Sequence, residues 1–319
     1  TRIEIPSLDI EQDAEDGFLY PVHNQPGKQA WHKPRRANMN SFLKKAGVIC
    51  TALMLWACTS TSTSEDERKI ITVGATAIPH AQILENVVKP LLEKEGWDLE
   101  ITVFNDYIQP NTAVEDGTLD ANYYQTIRYL KEENENRGLH LAAVAGVHLE
   151  PMGLYSRKIK QLSELADGME IALPNDSSNE ARALKLLEDN GLLKLNTGVD
   201  LYTLNDIIEN PHQFKFTEIE SASLARALED VDAAVINGNY ALQADLSPVQ
   251  DALISEKADG VQARDYINYI VVKDGNQETE KTKVLCKAMQ SEEVKEYIEK
   301  TYVGSVIWAF TDGEGNPLP

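Results

Sequence analysis

Ile70-Ile71-Thr72-Val73-Gly74 is the stretch that decides the fold class. Four apolar or β-branched residues before a glycine predict a buried strand that ends in a turn. From Pro79 the apolar residues recur three or four positions apart, as in Ile83 and Val87, which predicts a helix. Strands and helices continue to alternate as far as Val303. We therefore expect an α/β architecture with mostly parallel sheets.

The remaining elements follow from the same two periodicities. Strands are predicted near 99–103, 139–147, 169–173, 214–218, 233–236 and 266–272, and helices near 111–115, 125–137 and 179–190, with two more before Val303. The body after Cys58 has about 260 residues, which is enough for a large core and commonly for two lobes.

Residues 39–57 have the pattern of an export signal. Met39 opens a segment with Lys44 and Lys45, followed by twelve uncharged residues and then Cys58. A basic start, a short apolar run and a small residue before the cleavage point are typical of a secretory signal peptide. Twelve helical residues span about 18 Å, too short for the ~30 Å hydrocarbon core of a bilayer. The segment therefore predicts export and not a membrane-spanning helix.

Cys58 is the predicted attachment point of a lipid anchor. Residues 55–58, Leu-Trp-Ala-Cys, resemble a bacterial lipobox, although Trp56 is bulkier than that motif usually carries. A plain signal peptide with an incidental cysteine is the alternative. The Ser/Thr run and acidic residues within 58–68 are typical of a flexible tether. The folded body is thus expected outside the cytoplasm, anchored to a cell membrane.

Residues 1–38 do not fit this interpretation, because a signal peptide lies at the N-terminus. We expect translation to begin at Met39 and residues 1–38 to be a non-native extension. A twin-arginine export signal is an alternative, although Arg35-Arg36 lie six residues before Phe42, too far for that motif.

The exported part of the chain is strongly acidic. Seven of the 30 basic and six of the 51 acidic residues lie in 1–57, so the remainder carries 23 and 45, a net charge near −22. Such a surface repels nucleic acid and anionic headgroups, so neither is an expected partner. Only Cys286 stays in the folded body, and we interpret it as a small buried hydrophobe on a helix.

Motifs of catalysis and metal binding are absent from the sequence. It has no Gly-x-Ser-x-Gly, no phosphate-binding glycine loop and no His-Glu-x-x-His. No two histidines after Cys58 are three or four residues apart on a predicted helix, so no metal site is predicted. His80 is interpreted as a helix-entry residue. We expect no enzyme activity, no cofactor and no metal.

Six sequence blocks, in a fixed order, carry a family resemblance. They are residues 70–76, 103–107 (Val-Phe-Asn-Asp-Tyr), 119–125 (Leu-Asp-Ala-Asn-Tyr-Tyr-Gln), 154–160, 174–184 (Pro-Asn-Asp-Ser-Ser-Asn-Glu-Ala-Arg-Ala-Leu) and 234–240 (Ala-Val-Ile-Asn-Gly-Asn-Tyr). Together they resemble the methionine-binding lipoproteins of the NlpA/MetQ type over essentially 69–310.

This resemblance implies a two-lobed periplasmic-binding-protein fold with the ligand in the cleft between the lobes. Lobe 1 is expected to comprise 69–148 and 239–310, and lobe 2 residues 149–238, with 311–319 as a tail. The implied partners are L-methionine or a related amino acid and an ABC permease with its cytoplasmic ATPase. The implied ligand-binding residues are Tyr107, Asn122, Tyr124, Thr126, Asn179, Arg182 and Asn237.

The chemistry of a free amino acid explains Arg182. A ligand carboxylate is matched by a planar bidentate cation, which arginine supplies. Arg182 lies one turn after Asn179 at the start of a predicted helix, whose dipole favours an anion there. The alternative is a surface arginine paired with Glu180 or Asp189.

The ligand ammonium and side chain explain the other positions. Asn237 ends a buried apolar strand and offers an amide oxygen to an ammonium group, as Asn122 could, although these amides could also be turn or cap residues. Tyr107 and Tyr124, with Tyr123 beside them, could wall a thioether chain or belong to the core.

Thr126 is the one departure from the family pattern, which usually has histidine there. The smaller side chain predicts a roomier pocket unless Tyr123 or Tyr124 fills the space. The predicted function is a substrate-binding lipoprotein of an ABC importer for L-methionine or a close relative. The alternatives are a receptor for another apolar amino acid or a dipeptide, and an extracellular enzyme or structural lipoprotein.

Overall fold

Two separate sheets organise the folded body. The computed structural model describes residues 69–257 and 261–318. A six-stranded sheet with its helices forms lobe 1, and a five-stranded sheet with its helices forms lobe 2. The predicted α/β class with two lobes is confirmed.

The first part of lobe 1 alternates strands and helices. Its elements are β1 (Lys69–Thr76), α1 (Lys89–Lys94), β2 (Trp97–Phe104), α2 (Gln109–Glu115), β3 (Ala121–Thr126), α3 (Ile127–Arg137) and β4 (Leu141–Leu149), with π-helical turns at Ala77–Ala81 and Leu84–Val88. Strand β1 lies between β2 and β3 and is parallel to both. Its alternate residues Ile71, Val73 and Ala75 are fully buried. They anchor the sheet in the core of lobe 1.

Lobe 2 follows. Its elements are β5 (Gly153–Tyr155), β6 (Glu170–Pro174), α4 (Ser177–Asp189), β7 (Lys194–Leu195), β8 (Ile207–Glu209), β9 (Lys215–Ile219), α5 (Leu224–Ala227), β10 (Ala233–Ile236), α6 (Gly238–Gln243) and β11 (Ile254–Ser255). Five of these strands form a sheet in the order β11-β5-β10-β6-β9, while β7 and β8 pair separately. Strand β10 is buried at every residue, which explains its unbroken apolar sequence.

The chain then returns to lobe 1. A 3₁₀ segment (Val261–Tyr266) leads into β12 (Ile267–Lys273), α7 (Glu280–Met289), α8 (Glu292–Tyr302) and β13 (Ile307–Asp312). These strands complete the sheet β13-β4-β12-β3-β1-β2. Because β12 is antiparallel to both β3 and β4, those two strands run in the same direction.

The prediction of mostly parallel sheets is wrong. Of the nine strand pairs in the two large sheets, four are parallel and five antiparallel. The antiparallel pairs arise from β12 and β13, in the part of the chain that returns to lobe 1 from lobe 2, and from the short strand β5, which is antiparallel to both β10 and β11. The direction of re-entry is a property of topology and has no residue pattern of its own.

Two predicted boundaries also differ. Strand β11 pairs with β5 in the sheet of lobe 2, so lobe 2 extends past residue 238. Residues 311–318 are not a free tail, because Thr311 is bridged to Pro317 and the Leu318 amide donates to the carbonyl of Phe310 at 3.0 Å. A two-residue strand and a terminal turn are too short for periodicity to reveal.

Cys286 lies on α7 as predicted, partly buried, and burial raises the pKa of its thiol to about 12. Such a thiol is protonated at neutral pH and unreactive. Within 69–257 and 261–318, no helix has the length and apolar character needed to cross a bilayer. The predicted signal peptide, Cys58 and the tether lie outside the described residues.

Candidate functional site

The carboxyl ends of parallel-running strands from both lobes meet at one cavity. In lobe 1, β2 leads to Tyr107, β3 ends at Tyr124 and Thr126, and β4 leads to Glu150. In lobe 2, β6 leads to α4 with Asn179 and Arg182, and β10 leads to Asn237. Open α/β sheets place their ligand sites at these strand ends, because the loops there converge.

The structure brings six of the seven predicted ligand residues to this cavity. They are Tyr107, Tyr124, Thr126, Asn179, Arg182 and Asn237. Six further lining residues were not selected from the sequence: Gln125, Tyr129, Glu150, Gly238, Asn239 and Asn268. Glu150 and Asn239 lie just beyond a strand end, a signal that also occurs in ordinary turns and caps, whereas Gln125 and Asn268 lie within strands and Tyr129 within a helix.

Asn122 is the predicted residue that does not line the cavity. It is fully buried, and its amide nitrogen donates to Asn111 at 2.9 Å and to the carbonyl of Pro110 at 3.3 Å. Its amide oxygen accepts from Gln125 at 2.9 Å. Side chains alternate across a strand, so Asn122 and Tyr124 share one face of β3, but Asn122 lies deeper in that strand. It therefore holds the side chain of Gln125, which lines the cavity, through this hydrogen bond.

Three tyrosines form the aromatic wall of the cavity. The rings of Tyr107 and Tyr124 lie 5.7 Å apart, and Tyr129 lies 5.7 Å from Tyr107. Tyr124 and Tyr129 both donate to the carbonyl of Tyr107, at 2.7 and 3.2 Å. Thr126 caps α3 by accepting from the Tyr129 amide at 3.3 Å. Tyr123 faces the lobe 1 core, so it does not fill the space beside Thr126.

Arg182 is buried, and most of its hydrogen-bonding nitrogens already have partners in the protein. Its Nε and Nη2 donate to the two oxygens of Glu256 at 2.8 and 2.6 Å, and Nη2 also donates to the Glu150 carbonyl at 2.8 Å. Its guanidinium lies 4.1 Å from the ring centre of Tyr266. The predicted pairing alternatives, Glu180 and Asp189, are not used. The predicted bidentate edge is thus taken by Glu256, and among the described residues only Nη1 has no hydrogen-bond partner.

The N-terminus of α4 already holds an anion. The Asp176 carboxylate caps this helix by accepting from the backbone and side-chain nitrogens of Asn179, at 2.9 and 2.8 Å. Burial raises the pKa of Asp176, and the bonds from Asn179 oppose that rise. The expected attraction of this helix end for a ligand carboxylate is therefore offset, which the sequence did not indicate.

Two buried amide atoms on the cavity wall have no partner among the described residues. They are Oδ1 of Asn237 and Nδ2 of Asn239. The other ends of both amides are fixed, since Asn237 donates to Asn179 Oδ1 at 2.7 Å and Asn239 Oδ1 accepts from Tyr107 at 2.6 Å. The cavity thus presents one free acceptor and one free donor, which a small polar ligand would satisfy.

Gly238 lets these two amides approach Glu150. A Cβ built on this glycine would lie 2.6 Å from the Glu150 Cβ, closer than side-chain atoms approach each other. Any larger residue would force the Asn-Gly-Asn segment away from Glu150. The glycine is required for packing between the end of β10 and the end of β4.

His80 and His148 meet behind the cavity. One nitrogen of each ring and one carboxylate oxygen of Glu150 all lie within 4.8 Å of one another, and all three residues are buried. The two histidines come from a π-helical turn and from β4, so helix spacing could not have revealed the pair. His80 is a fully buried hydrogen-bonding residue and not simply a helix-entry residue.

Other contacts join the two lobes around the cavity. Tyr240 donates to the Asn105 carbonyl at 3.2 Å, and Arg128 Nη2 donates to the Asp200 carbonyl at 2.8 Å. Together with the bond from Tyr107 to Asn239, they hold the cleft walls against each other. The aromatic wall comes from lobe 1 and the two amides with unpartnered atoms, Asn237 and Asn239, from lobe 2, so the site depends on both lobes.

Comparison with known proteins agrees with this geometry. The sequence profile described as NlpA lipoprotein matches residues 71–310. Outer membrane lipoprotein 2 of Mannheimia haemolytica is 40% identical over 276 residues, 84% of this chain and 99% of the relative. The methionine-binding lipoprotein MetQ of Bacillus subtilis is 37% identical over 84% of this chain and 98% of its own.

A solved structure extends the similarity to the fold. A nutrient-binding protein of Burkholderia cenocepacia, bound to methionine, is 42% identical with a TM-score of 0.71, over 75% of this chain and 99% of its own. Two lobes around one polar and aromatic cavity define a substrate-binding protein of the periplasmic-binding class. The chain belongs to the NlpA lipoprotein family, which confirms the resemblance found in the sequence.

Proposed function

We propose that this protein is an extracytoplasmic, lipid-anchored receptor that binds L-methionine or a close relative between its lobes. It would deliver the ligand to an ABC permease driven by a cytoplasmic ATPase, with Cys58 carrying the lipid. The observation that carries the proposal is the pair of free amide atoms, Asn237 Oδ1 and Asn239 Nδ2, in a cavity with a tyrosine wall. The names of the relatives supply the ligand class.

A free amino acid satisfies each part of this cavity. Its ammonium group donates, as the Asn237 oxygen requires, and its carboxylate accepts, as the Asn239 nitrogen and Nη1 of Arg182 require. A thioether side chain packs well against the rings of Tyr107, Tyr124 and Tyr129, because sulfur makes favourable contacts near ring edges. The ligand would reach Arg182 through a single nitrogen and not through its bidentate edge.

Binding without catalysis is part of the proposal. None of the relatives compared above is named for a reaction, and two of the three are named for binding. The cavity offers amides, phenols and a buried glutamate, and the tyrosine hydroxyls are held in hydrogen bonds to the protein. We infer no cofactor, because neither the sequence motifs nor the cavity residues support one.

Two measurements test this function. Mass analysis of ligand released from natively purified protein should detect methionine, and calorimetry of ligand-freed protein should show binding without turnover. Asn237→Ala should weaken binding by at least tenfold, because it removes the free acceptor, whereas Asn86→Ala on the surface should not. Binding of leucine or a methionyl dipeptide in preference to methionine would identify that compound as the ligand instead. Failure of every amino acid and dipeptide to bind would contradict the function.

A further inference from the structure

Glu150 is a buried carboxylate on the cavity wall. It follows β4, and its side chain is only 6% exposed. Its Oε1 lies 2.7 Å from Nε2 of His148 and 3.3 Å from Nε2 of His80. Both histidines are fully buried. An isolated carboxylate in such a place is unfavourable unless other groups or a ligand compensate its charge.

His80 is a neutral ring that lies against this carboxylate and donates its hydrogen bond to Asn268. Its Nε2 faces Glu150 and also Oδ1 of Asn268 at 3.1 Å, and both oxygens accept, so this nitrogen carries the hydrogen. Its Nδ1 then accepts from the hydroxyl of Thr76 at 2.7 Å. Burial lowers the pKa of His80 to about 4, so the ring stays uncharged at neutral pH.

His148 has the same arrangement. Its Nε2 contacts Glu150 at 2.7 Å, and its Nδ1 pairs with the hydroxyl of Tyr123. Burial lowers the pKa of His148 to about 3. His148 therefore orients the Glu150 carboxylate through an N–H bond, and His80 packs beside it, but neither ring cancels its charge.

The nearest cation, Arg182, is already paired with another carboxylate. Arg182 donates to the backbone carbonyl of Glu150, while its charge is paired through two hydrogen bonds with the carboxylate of Glu256. Among the residues that the structure describes, Glu150 has no cation of its own. Burial raises the pKa of Glu150, which is the sign of an incompletely compensated anion.

A metal ion is a poorer match than an ammonium group. The three donor atoms have the right types, but tetrahedral zinc with ligands at about 2.0–2.1 Å would hold them about 3.3 Å apart. His148 Nε2 and Glu150 Oε1 are 2.7 Å apart, a hydrogen-bond distance. His80 Nε2 also carries a hydrogen where a metal would need a lone pair.

An independent observation favours an ammonium partner beside Glu150. Asn237, 6% exposed, presents the unpartnered Oδ1, and the following Gly238 packs directly against Glu150. The backbone amide of Asn239 opposes the rise in the pKa of the Glu150 carboxyl. An unpartnered acceptor and an uncompensated anion thus belong to adjoining segments of one cavity wall.

We infer that Glu150, held by His80 and His148, is the counter-ion for the ligand's α-ammonium group, with Asn237 as the second acceptor. The inference deepens the proposed function and rests on it. It makes a free, charged amino group an obligatory part of the ligand. It also makes the two histidines positioning residues for the recognition carboxylate.

The wild-type protein tests this directly. Ligand-freed protein is titrated with L-methionine and with its α-hydroxy analogue, which keeps the carboxylate and thioether but lacks the positive charge. Removing one partner of a buried charge pair weakens binding by about 30- to 4,000-fold, and the analogue should lose affinity within that range. This arm needs no variant and therefore holds even if a variant fails to fold.

Glu150→Gln keeps the size of the side chain and removes its charge. It should weaken the binding of methionine by about 30-fold or more. The affinity for the α-hydroxy analogue should change by less than threefold, because that ligand has no positive charge to pair with Glu150. Glu229→Gln, which removes a carboxylate paired with Arg157 at the exposed surface, is the matched control and should change neither affinity.

Three results would overturn the inference. Wild type could bind methionine and the analogue equally, or Glu150→Gln could weaken both ligands alike, which would indicate a structural role. Alternatively, dialysis against a chelator could abolish binding and Zn²⁺ restore it, which would make the cluster a metal site. Failure of wild type to bind any amino acid would instead refute the proposed function itself, and this inference with it.

Discussion

Arg182→Ala should destabilise the fold as well as weaken ligand binding. The side chain is 5% exposed and makes three hydrogen bonds, two of them to the carboxylate of Glu256. It also stacks on Tyr266 at 4.1 Å. The substitution leaves Glu256, itself only 17% exposed, with the Met152 amide at 2.8 Å as its remaining donor.

The expected loss follows from breaking a buried ion pair on one side. Such changes lower the free energy of unfolding by about 3–5 kcal/mol, because the surviving charge stays buried without compensation. The lost cation–π contact with Tyr266 is included in that range, at about 1 kcal/mol. For a domain of this size the melting temperature should fall by about 6–20 °C.

The assay is chemical denaturation of ligand-free protein, followed by calorimetric titration of the variant that remains folded. Arg182→Ala combined with Glu256→Gln should recover part of the lost stability, because the second change removes the stranded charge. Lys185→Ala, on the same helix but partly exposed, is the control and should cost less than about 1 kcal/mol. A loss below 1 kcal/mol for Arg182→Ala would refute the buried-pair argument.

Three further predictions concern other parts of the protein. Between pH 7 and pH 5 the free energy of unfolding of the ligand-free protein should fall in denaturation experiments. Burial lowers the pKa of His80 to about 4 and that of His148 to about 3, against 6.5 in the unfolded chain, so the unfolded chain binds more protons below pH 6.5 and the two rings together remove up to about 4 kcal/mol by pH 5. The raised pKa of Glu150 acts in the opposite direction and reduces this loss; constant stability would contradict the prediction. Thr126→His should increase the affinity for L-methionine relative to leucine, norleucine and a methionyl dipeptide by about 10–200-fold in calorimetry, the range that a methylene-sized change in fit allows. Thr126→Ala is the control for the lost helix cap. A wild-type protein that already prefers methionine by more than about a hundredfold would contradict the prediction of a roomier pocket. Cys58→Ser should abolish palmitate labelling and release the protein from membranes, since each buried CH₂ contributes about 0.8 kcal/mol; labelling of the variant would contradict the lipobox interpretation.

Local periodicity predicted most elements because their burial is one-sided. Helix α8 is an example, since its buried residues Val294, Ile298 and Tyr302 are spaced four apart. Strand β10 was predicted from an unbroken apolar run instead, because it is buried at every residue. Thr126 was placed inside a helix by periodicity, yet it ends β3 and caps α3. Boundaries shift in this way because a capping residue belongs to two elements, and periodicity assigns it to one.

The sequence by itself determined the fold class and the family, and it selected six residues that the structure places around one cavity. Local patterns and the order of the sequence blocks are enough for these predictions, because each depends on residues that are close together in the sequence. Tertiary structure alone decided that Asn122 lies behind the cavity, that Glu256 occupies Arg182, and that Glu150 joins His80 and His148. These groups are separated by up to 74 residues along the chain. Hydrogen-bond partners and burial at such separations arise only when the lobes fold, so no local pattern predicts them.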